Sequence, residues 1–476
     1  MGEYKFGKMD IPLVVSWLLL IFIGWVNIFA SIYSEEHSSI FDMSQRYGMQ
    51  FIWIITAMVL AVCILYVLNP KIYSVLSPPI YFFVCILLVA VIFLGKEVNG
   101  SNSWFRFGPV SFQPAEISKI STSLFLAHLM SKYSFKLSRP RDAISVALAI
   151  LVPMAIIVME KETGSALVYC GFIFLLYREG LSGWFLIFGI LSIVLFVVTL
   201  AVSPLAALII LFVLSGIVNG IYTRRLWLHL AILIPVATLL GFLPAIMNAV
   251  APEFPVEVEY MALVLMAIPV IFSIVKFSGK RMKHLKFLIT GFICSIILVF
   301  SVQFIFNNIL QHHQRERIEN LLGIKEDLMG AGYNVHQSKI AIGSGGLTGK
   351  GFLNGTQTKL DYVPEQDTDF IFCTIGEEQG FMGSTFVMVV FIAFILRLMA
   401  LAERQDDRFG RAFGYSLASI FFFHFAINIG MVIGITPVIG IPLPFFSYGG
   451  SSFLGFSILL FTFLRIDADR ETKGRA

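Results

Sequence analysis

The sequence predicts an all-α polytopic membrane protein, and three observations carry that prediction. Of 476 residues, 57% are hydrophobic and only 13% are charged, against about 25% charged in an ordinary soluble domain. Apolar runs of membrane length recur along the chain. One long polar stretch, 307–378, stands between apolar runs on both sides. The net charge of +4 decides little, because the placement of Lys and Arg governs membrane topology. Nothing in the composition points to a nucleic-acid partner.

In chain order, Lys5 and Lys8 precede an apolar run from Ile11 to about Tyr33. That run is too long for a signal-peptide core and has no small-residue cleavage site, so it is expected to remain as the first membrane helix. Further spans are expected near 48–68, 78–95, 113–131, 143–159, 163–178, 183–202, 204–221, 226–243, 260–277, 287–306, 380–400, 413–434 and 448–464. Span 113–131 is unusual in carrying Glu116, Lys119 and His128. The pair flanking Pro204 reads either as two spans or as one broken element.

Orientation follows from the basic residues. With the N-terminus cytoplasmic, the loops bearing Lys71, then Lys132, Lys136, Arg139 and Arg141, then Arg178, Arg224 and Arg225, Lys276 to Lys286, and Arg397 to Arg411 all fall on one side, with the tail Arg465 to Arg475. This is the asymmetry of the positive-inside rule. The long polar stretch is then extracytoplasmic, together with 99–119, 160–165 and 435–452. Their charges Arg106, Glu116, Lys119, Lys161 and Glu162 sit at or just inside span ends, where an unpaired ion costs at least about 2–3 kcal/mol. Glu116 and Lys119, three residues apart, share a helix face. They form an intrahelical ion pair or line a polar cavity, and the cavity is the stronger reading because a purely structural helix would do better with neither charge.

The five cysteines lie singly in apolar surroundings, as small buried hydrophobes do. His312 and His313 are adjacent, and His336 has no His or Cys nearby, so no His/Cys metal site is expected. GSGGLTGKG (343–351) fails the phosphate-loop pattern, which needs Gly at 344 and Ser or Thr at 351 where the chain has Ser344 and Gly351. What remains is a glycine-dense turn, either a flexible surface turn or one letting backbone approach a ligand, with Lys339 and Lys350 near enough to meet an anion. Asp327, before GAGY, is a turn former or, if Glu116, Lys119 and Glu162 face it, a general base. Glu365, Asp367 and Asp369 in PEQDTDF, with Glu377 and Glu378 in GEEQG, exceed what helix capping needs; they bind a divalent cation or neutralise facing cations.

WFRFGPVSFQPAEISK, DLMGAGYNVHQSKIAIGSGGLTGKG, GTQTKLDYVPEQDTDFIF, GEEQG and GIPLPFFSYGGSS together resemble the signature blocks of the SEDS family of bacterial cell-wall proteins. GTQTKLDYVPE with IPLPFFSYGG looks more like its elongation members than its division members. The resemblance implies a peptidoglycan glycosyltransferase of the bacterial cytoplasmic membrane that polymerises lipid II on the outer face. Class B penicillin-binding protein (a transpeptidase) and other elongation-complex proteins would be its partners, within membrane lipid.

It also implies a SEDS-like helical bundle of about ten core transmembrane helices. The chain then divides into core at 1–182, about four inserted helices at 183–277, a core helix at 278–306, the large extracytoplasmic catalytic loop at 307–378, and core with a cytoplasmic tail at 379–476. Asp327 matches the family's essential loop aspartate; Glu116 and Lys119 match its polar pair, with Arg106 in the same block. The expected substrate-binding set is Arg106, Glu116, Lys119, Glu162, Gln337, Ser338, Lys339, Glu365, Thr368, Asp369, Ser447 and Tyr448. Two positions depart from the family pattern: Glu162 replaces aspartate in PDLGT, and Asp367 replaces histidine in HTDF.

On this reading Asp327 takes the proton from the acceptor hydroxyl, and Lys119, Arg106 and Lys339 stabilise the departing pyrophosphate. A divalent cation, Mg2+ or Mn2+, could share that work. A lipid II transporter is the alternative, since charges inside a helical bundle also suit translocation; a scaffold that only positions other proteins is a third.

Overall fold

Helices occupy every apolar run expected to span, because a backbone in lipid has no other way to satisfy its N–H and C=O groups within one segment. The computed structural model describes every residue except 1–8, 35–36, 38, 99–100, 108–109, 225, 251–257, 278–281, 311, 325–331, 361 and 474–476. Asp327 therefore lies outside the described residues, as do Lys5, Lys8, Arg225, Lys280, Arg281, Arg475 and most of the acidic loop at 252–259.

The chain folds as two compact units, 1–182 with 332–476 and 183–331. In the first unit, α1 (Ile11–Ser31), α2 (Arg46–Tyr66) and α3 (Pro70–Leu94) lead to a small sheet, then α4 (Pro114–Ser131), α5 (Pro140–Met159), α6 (Thr163–Val168) and α7 (Phe172–Arg178). Its starts are capped as the sequence chemistry requires. Asp10 accepts from the Leu13 N–H at 3.1 Å, and Pro12, Pro70 and Pro114 stand in first turns where no N–H is needed. The second unit holds α8 (Trp184–Ala201), α9 (Pro204–Thr223), α10 (Leu226–Val250), α11 (Val258–Phe277), α12 (Met282–Asn308) and α13 (His312–Leu321) around Leu208, Phe212, Leu240 and Met266. Ser203 separates α8 from α9 and caps the latter, accepting from the Ala206 N–H at 3.1 Å, so the Pro204 region is two helices. The first unit resumes with α14 (Tyr333–Gly345), α15 (Thr356–Lys359), α16 (Ile371–Glu378), α17 (Gly380–Glu403), α18 (Arg408–Val432) and α19 (Gly450–Lys473).

Among the described residues, 11 helices are long and apolar enough to cross a membrane. Helix α4 is not one of them, its polar side chains lowering its hydropathy, and 163–178 is broken by a 3-10 turn at Tyr169–Gly171. The polar stretch 307–378 is not one body: it passes from the second unit to the first between Ala331 and Gly332.

A small sheet joins α3 to α4 within the helical fold. Strands β1 (Lys96–Val98), β2 (Ser101–Phe107) and β3 (Val110–Phe112) pair antiparallel in the order β1-β2-β3, with Arg106 opposite Ser111. Its signal was present: Asn-Gly at 99–100 and Gly-Pro at 108–109 bracket SNSWFRF.

Contacts sort the helix ends of the first unit. Arg465 of α19 donates to the Leu68 carbonyl after α2, His128 near the end of α4 meets Ser74 of α3, and Arg404 after α17 meets Asp467 of α19. The sheet, the starts of α4, α6, α17 and α19 and the end of α18 form the opposite end.

Candidate active site

Helix α4 brings Glu116 and Lys119 into the core of the first unit, where they are 4% and 1% exposed. The Lys119 ammonium donates to Glu116 Oε1 at 2.8 Å and to His424 Nε2 of α18 at 3.1 Å, and lies 5.1 Å from the Phe456 ring centroid of α19. His424 Nδ1 is 3.1 Å from the Pro442 carbonyl, which can only accept. An ammonium on one side and a carbonyl on the other fix the imidazole as the neutral tautomer protonated at Nδ1. Of the two readings of the spacing, the intrahelical pair is the one formed, against the favoured cavity reading, and His424, which the spacing gave no reason to single out, completes it. Lys119 is enclosed by protein groups: its ammonium is taken up by Glu116, His424 and the Phe456 ring.

The blocks singled out in the sequence converge here. Gln113, just before α4, donates to Glu162 Oε1, which Ser165 also reaches at 2.9 Å. Asn102 of β2 donates its N–H to the Glu160 carbonyl at 3.3 Å. A Cβ on Gly164 would fall 2.7 Å from the Ile439 carbonyl, so only glycine lets α6 approach the 435–449 loop this closely. Asn428, one turn beyond His424, donates to the carbonyls of Asp369 at 2.8 Å and Ile441 at 2.7 Å. Arg46, at the start of α2, places Nη1 2.8 Å from both carboxylate oxygens of buried Asp367, whose carbonyl accepts from the Tyr448 N–H at 2.9 Å. The histidine-to-aspartate departure at 367 is therefore matched by an arginine. Arg46 also stacks 5.8 Å over the Tyr448 ring.

Glu160 is a second residue that sequence reasoning missed. It is 1% exposed, and neither carboxylate oxygen has a hydrogen-bond partner. Burial, with the charge of Glu162 added, pushes its carboxyl up to about 8 from 4.5. Burial raises Glu162 as well. Lys161 between them adopts φ 64°, a left-handed conformation costly for a lysine. Because the folded pKa lies above the unfolded one, the protonated form contributes stability that is fully present below pH 4.5 and lost as pH rises through about 8. Glu160→Gln is expected to melt higher than wild type at pH 9 and to show a much smaller difference at pH 5. An equal shift at both pH values would contradict the assignment.

The remaining candidates divide. Arg106 and Lys339 are exposed cations, and Gln337 is half-buried. The buried Ser338 hydroxyl donates to the Val432 carbonyl at 2.9 Å and ties α14 to α18. The Ser447 hydroxyl accepts from the Leu443 N–H at 2.9 Å in a turn. The Thr368 hydroxyl donates to Glu365 Oε2 at 2.9 Å, with Glu365 at φ 55°.

The glycine-dense turn approaches the protein's own backbone. Lys350 and Gly351 donate their N–H groups to the carbonyls of Glu377 and Glu378, and Phe381 and Met382 return bonds to Gly346 and Leu347. A Cβ on Gly349, at φ 80°, would collide with the Glu378 carbonyl. Glu377 is not left open for a cation. Its fully buried carboxylate takes the Lys350 ammonium at 2.7 Å, the N–H groups of Thr356, Gln357 and Thr358, and both threonine hydroxyls. Lys350 meets an anion, as expected, but that anion is Glu377. Among the described residues no three His, Cys, Asp or Glu side chains gather as metal ligands.

Comparisons agree with this architecture. The family model FTSW_RODA_SPOVE, described as a cell cycle protein, matches residues 11–215 and 240–472. The peptidoglycan glycosyltransferase MrdB of Escherichia coli K12 is 31% identical over 396 residues, 82% of this chain and 78% of that protein. The peptidoglycan glycosyltransferase RodA of Treponema pallidum is 29% identical over 448 residues, 94% of each. A chain from a solved peptidoglycan synthase complex superposes with a TM-score of 0.60 at 21% identity, covering 97% of this chain and 98% of that one. Thermus thermophilus RodA superposes at 0.55 over 97% of each chain, at 20% identity.

Proposed function

The chain belongs to the FtsW/RodA/SpoVE family and is a peptidoglycan glycosyltransferase, a multi-pass membrane protein; on that premise we propose that it polymerises lipid II into β-1,4 glycan strands during cell elongation. The observation that carries this reading is the family match across both halves of the first unit, which includes every block that converges at the Glu116–Lys119–His424 cluster.

In the proposed reaction the 4-hydroxyl of the acceptor GlcNAc attacks the anomeric carbon of the donor MurNAc. The C–O bond to pyrophosphate breaks as the new bond forms, the configuration inverts from α to β, and undecaprenyl pyrophosphate leaves with the electron pair. Asp327 receives the hydroxyl proton. Arg106 and Lys339, both exposed, meet the pyrophosphate, and a positioned cation of this type is worth about 3 kcal/mol. Lys119, held by Glu116 and His424, supplies a fixed positive field from within. The site faces the extracytoplasmic side, both termini are cytoplasmic, and a class B penicillin-binding protein crosslinks the product. The basic helix ends opposite the site support that orientation. Residues 183–277 form an inserted membrane segment added to the family core.

Purified protein supplied with lipid II and its transpeptidase is expected to produce glycan strands that a muramidase digests to β-1,4-linked disaccharide units. Movement of lipid II between leaflets with no polymer formed would contradict the reading.

A further inference from the structure

The end of the first unit opposite the candidate site holds its basic residues in two different ways. At the end opposite the candidate site, four arginines are matched to carboxylates: Arg178 with Glu403 at 3.1 Å, Arg397 with Asp10 at 3.1 Å, Arg404 with Asp467 at 3.0 Å and Arg411 with Glu179 at 3.3 Å. The α4–α5 loop at this same end, taken with the first two residues of α5 (KYSFKLSRPR, 132–141), has no such match. Lys132, Lys136, Arg139 and Arg141 are exposed, and among the described residues no carboxylate lies within ion-pair distance of any of them. Asp142, the nearest acid in sequence, accepts from the Lys136 backbone N–H at 3.1 Å.

The loop is also pre-shaped. Phe135 and Leu137 pack against the core, the Phe135 and Arg139 N–H groups close turns onto Lys132 and Lys136, and Arg139 Nη1 donates to the Ser134 carbonyl at 2.7 Å. Between the inward residues, the cations and Tyr133, which is 102% exposed, point outward. A basic segment at the start of α5, a helix long and apolar enough to cross a membrane, belongs at headgroup level, where tyrosine is favoured. Holding several cations together without counter-charge is unfavourable unless an anionic surface meets them.

We infer that the α4–α5 loop is a docking surface for anionic phospholipid headgroups, with Lys132, Lys136 and Arg141 as the phosphate contacts and Tyr133 as the interfacial anchor. The headgroups supply the negative charge that the protein supplies itself at Arg178, Arg397, Arg404 and Arg411. Lys71, exposed in the first turn of adjacent α3, extends the patch. This site is independent of the catalytic reading.

The test uses full-length protein in detergent, titrated with phosphatidylglycerol or phosphatidylcholine, bound lipid being counted by native mass spectrometry. Wild type is expected to prefer phosphatidylglycerol, with a preference that falls as salt rises. Each cation removed is expected to weaken that binding roughly fivefold, so the triple variant Lys132→Gln, Lys136→Gln, Arg141→Gln loses on the order of 100-fold. Phosphatidylcholine binding and melting temperature should stay unchanged, and the double variant Lys132→Arg, Lys136→Arg should retain wild-type affinity. Equal phosphatidylglycerol affinity in the triple variant and wild type would overturn the inference, as would a wild type with no preference for the anionic lipid.

Discussion

Lys119→Met protein is expected to be at least 100-fold slower in glycan synthesis and about 3–5 kcal/mol less stable than wild type. The size of the effect comes from what is left behind. Glu116, 4% exposed, loses the ammonium at 2.8 Å and becomes a buried, uncompensated carboxylate. His424 loses its donor at Nε2 in the same step. Stability and catalysis can be separated with a second variant. Adding Glu116→Gln removes the orphaned charge, so the double variant should recover a large part of the lost stability while remaining inactive. Unfolding of single and double variants, followed by intrinsic fluorescence in detergent, gives the coupling directly. A double variant no more stable than Lys119→Met would show that the two groups do not act as a pair.

Glu377→Ala is expected to cost about 3–5 kcal/mol as well, through a different structure. One carboxylate closes the start of α15 with three backbone N–H groups, holds two threonine hydroxyls and pairs with Lys350. Burial alone would raise its pKa, but the Lys350 ammonium and the three N–H groups outweigh burial and bring it to about 2, below the ordinary 4.5. A depressed carboxylate contributes stability that is fully present above pH 4.5 and lost as pH falls towards 2. Wild-type melting temperature should therefore drop between pH 5 and pH 3 more steeply than that of Glu377→Gln, which has no proton to take up here. Parallel pH profiles would count against the carboxylate as the closing group.

The membrane character and the helices were legible in the sequence because lipid imposes one requirement on every span: about 20 apolar residues whose backbone bonds close internally. Helix α4 was legible as a helix with one charged face, since Glu116 and Lys119 stand at i and i+3, but the spacing favoured a polar cavity over the pair that forms. The site was legible in its blocks but not in its pairings. Nothing local marks Arg46 as the partner of Asp367, 321 positions away, or His424 as the partner of Lys119, 305 positions away. Such pairings are set by how α2, α4 and α18 pack.

By sequence, GSGGLTGKG is a place where backbone approaches a ligand or simply flexes. It is a place where backbone approaches backbone, because Gly345 and Gly349 face Gly376, Glu377 and Glu378. Glycine permits close approach without saying to what. Glu160 escaped notice because a lone glutamate at a helix end usually points to water, and only tertiary burial makes it costly.

With Asp327 proposed as the base of the transfer step, the rate at which purified Asp327→Asn protein, folded and bound to its transpeptidase, converts lipid II to polymer tests that role. Asparagine keeps the size of the side chain and cannot accept the hydroxyl proton, so a loss of at least about 100-fold is expected with lipid II still bound. Polymer of normal length formed at the wild-type rate would contradict the assignment.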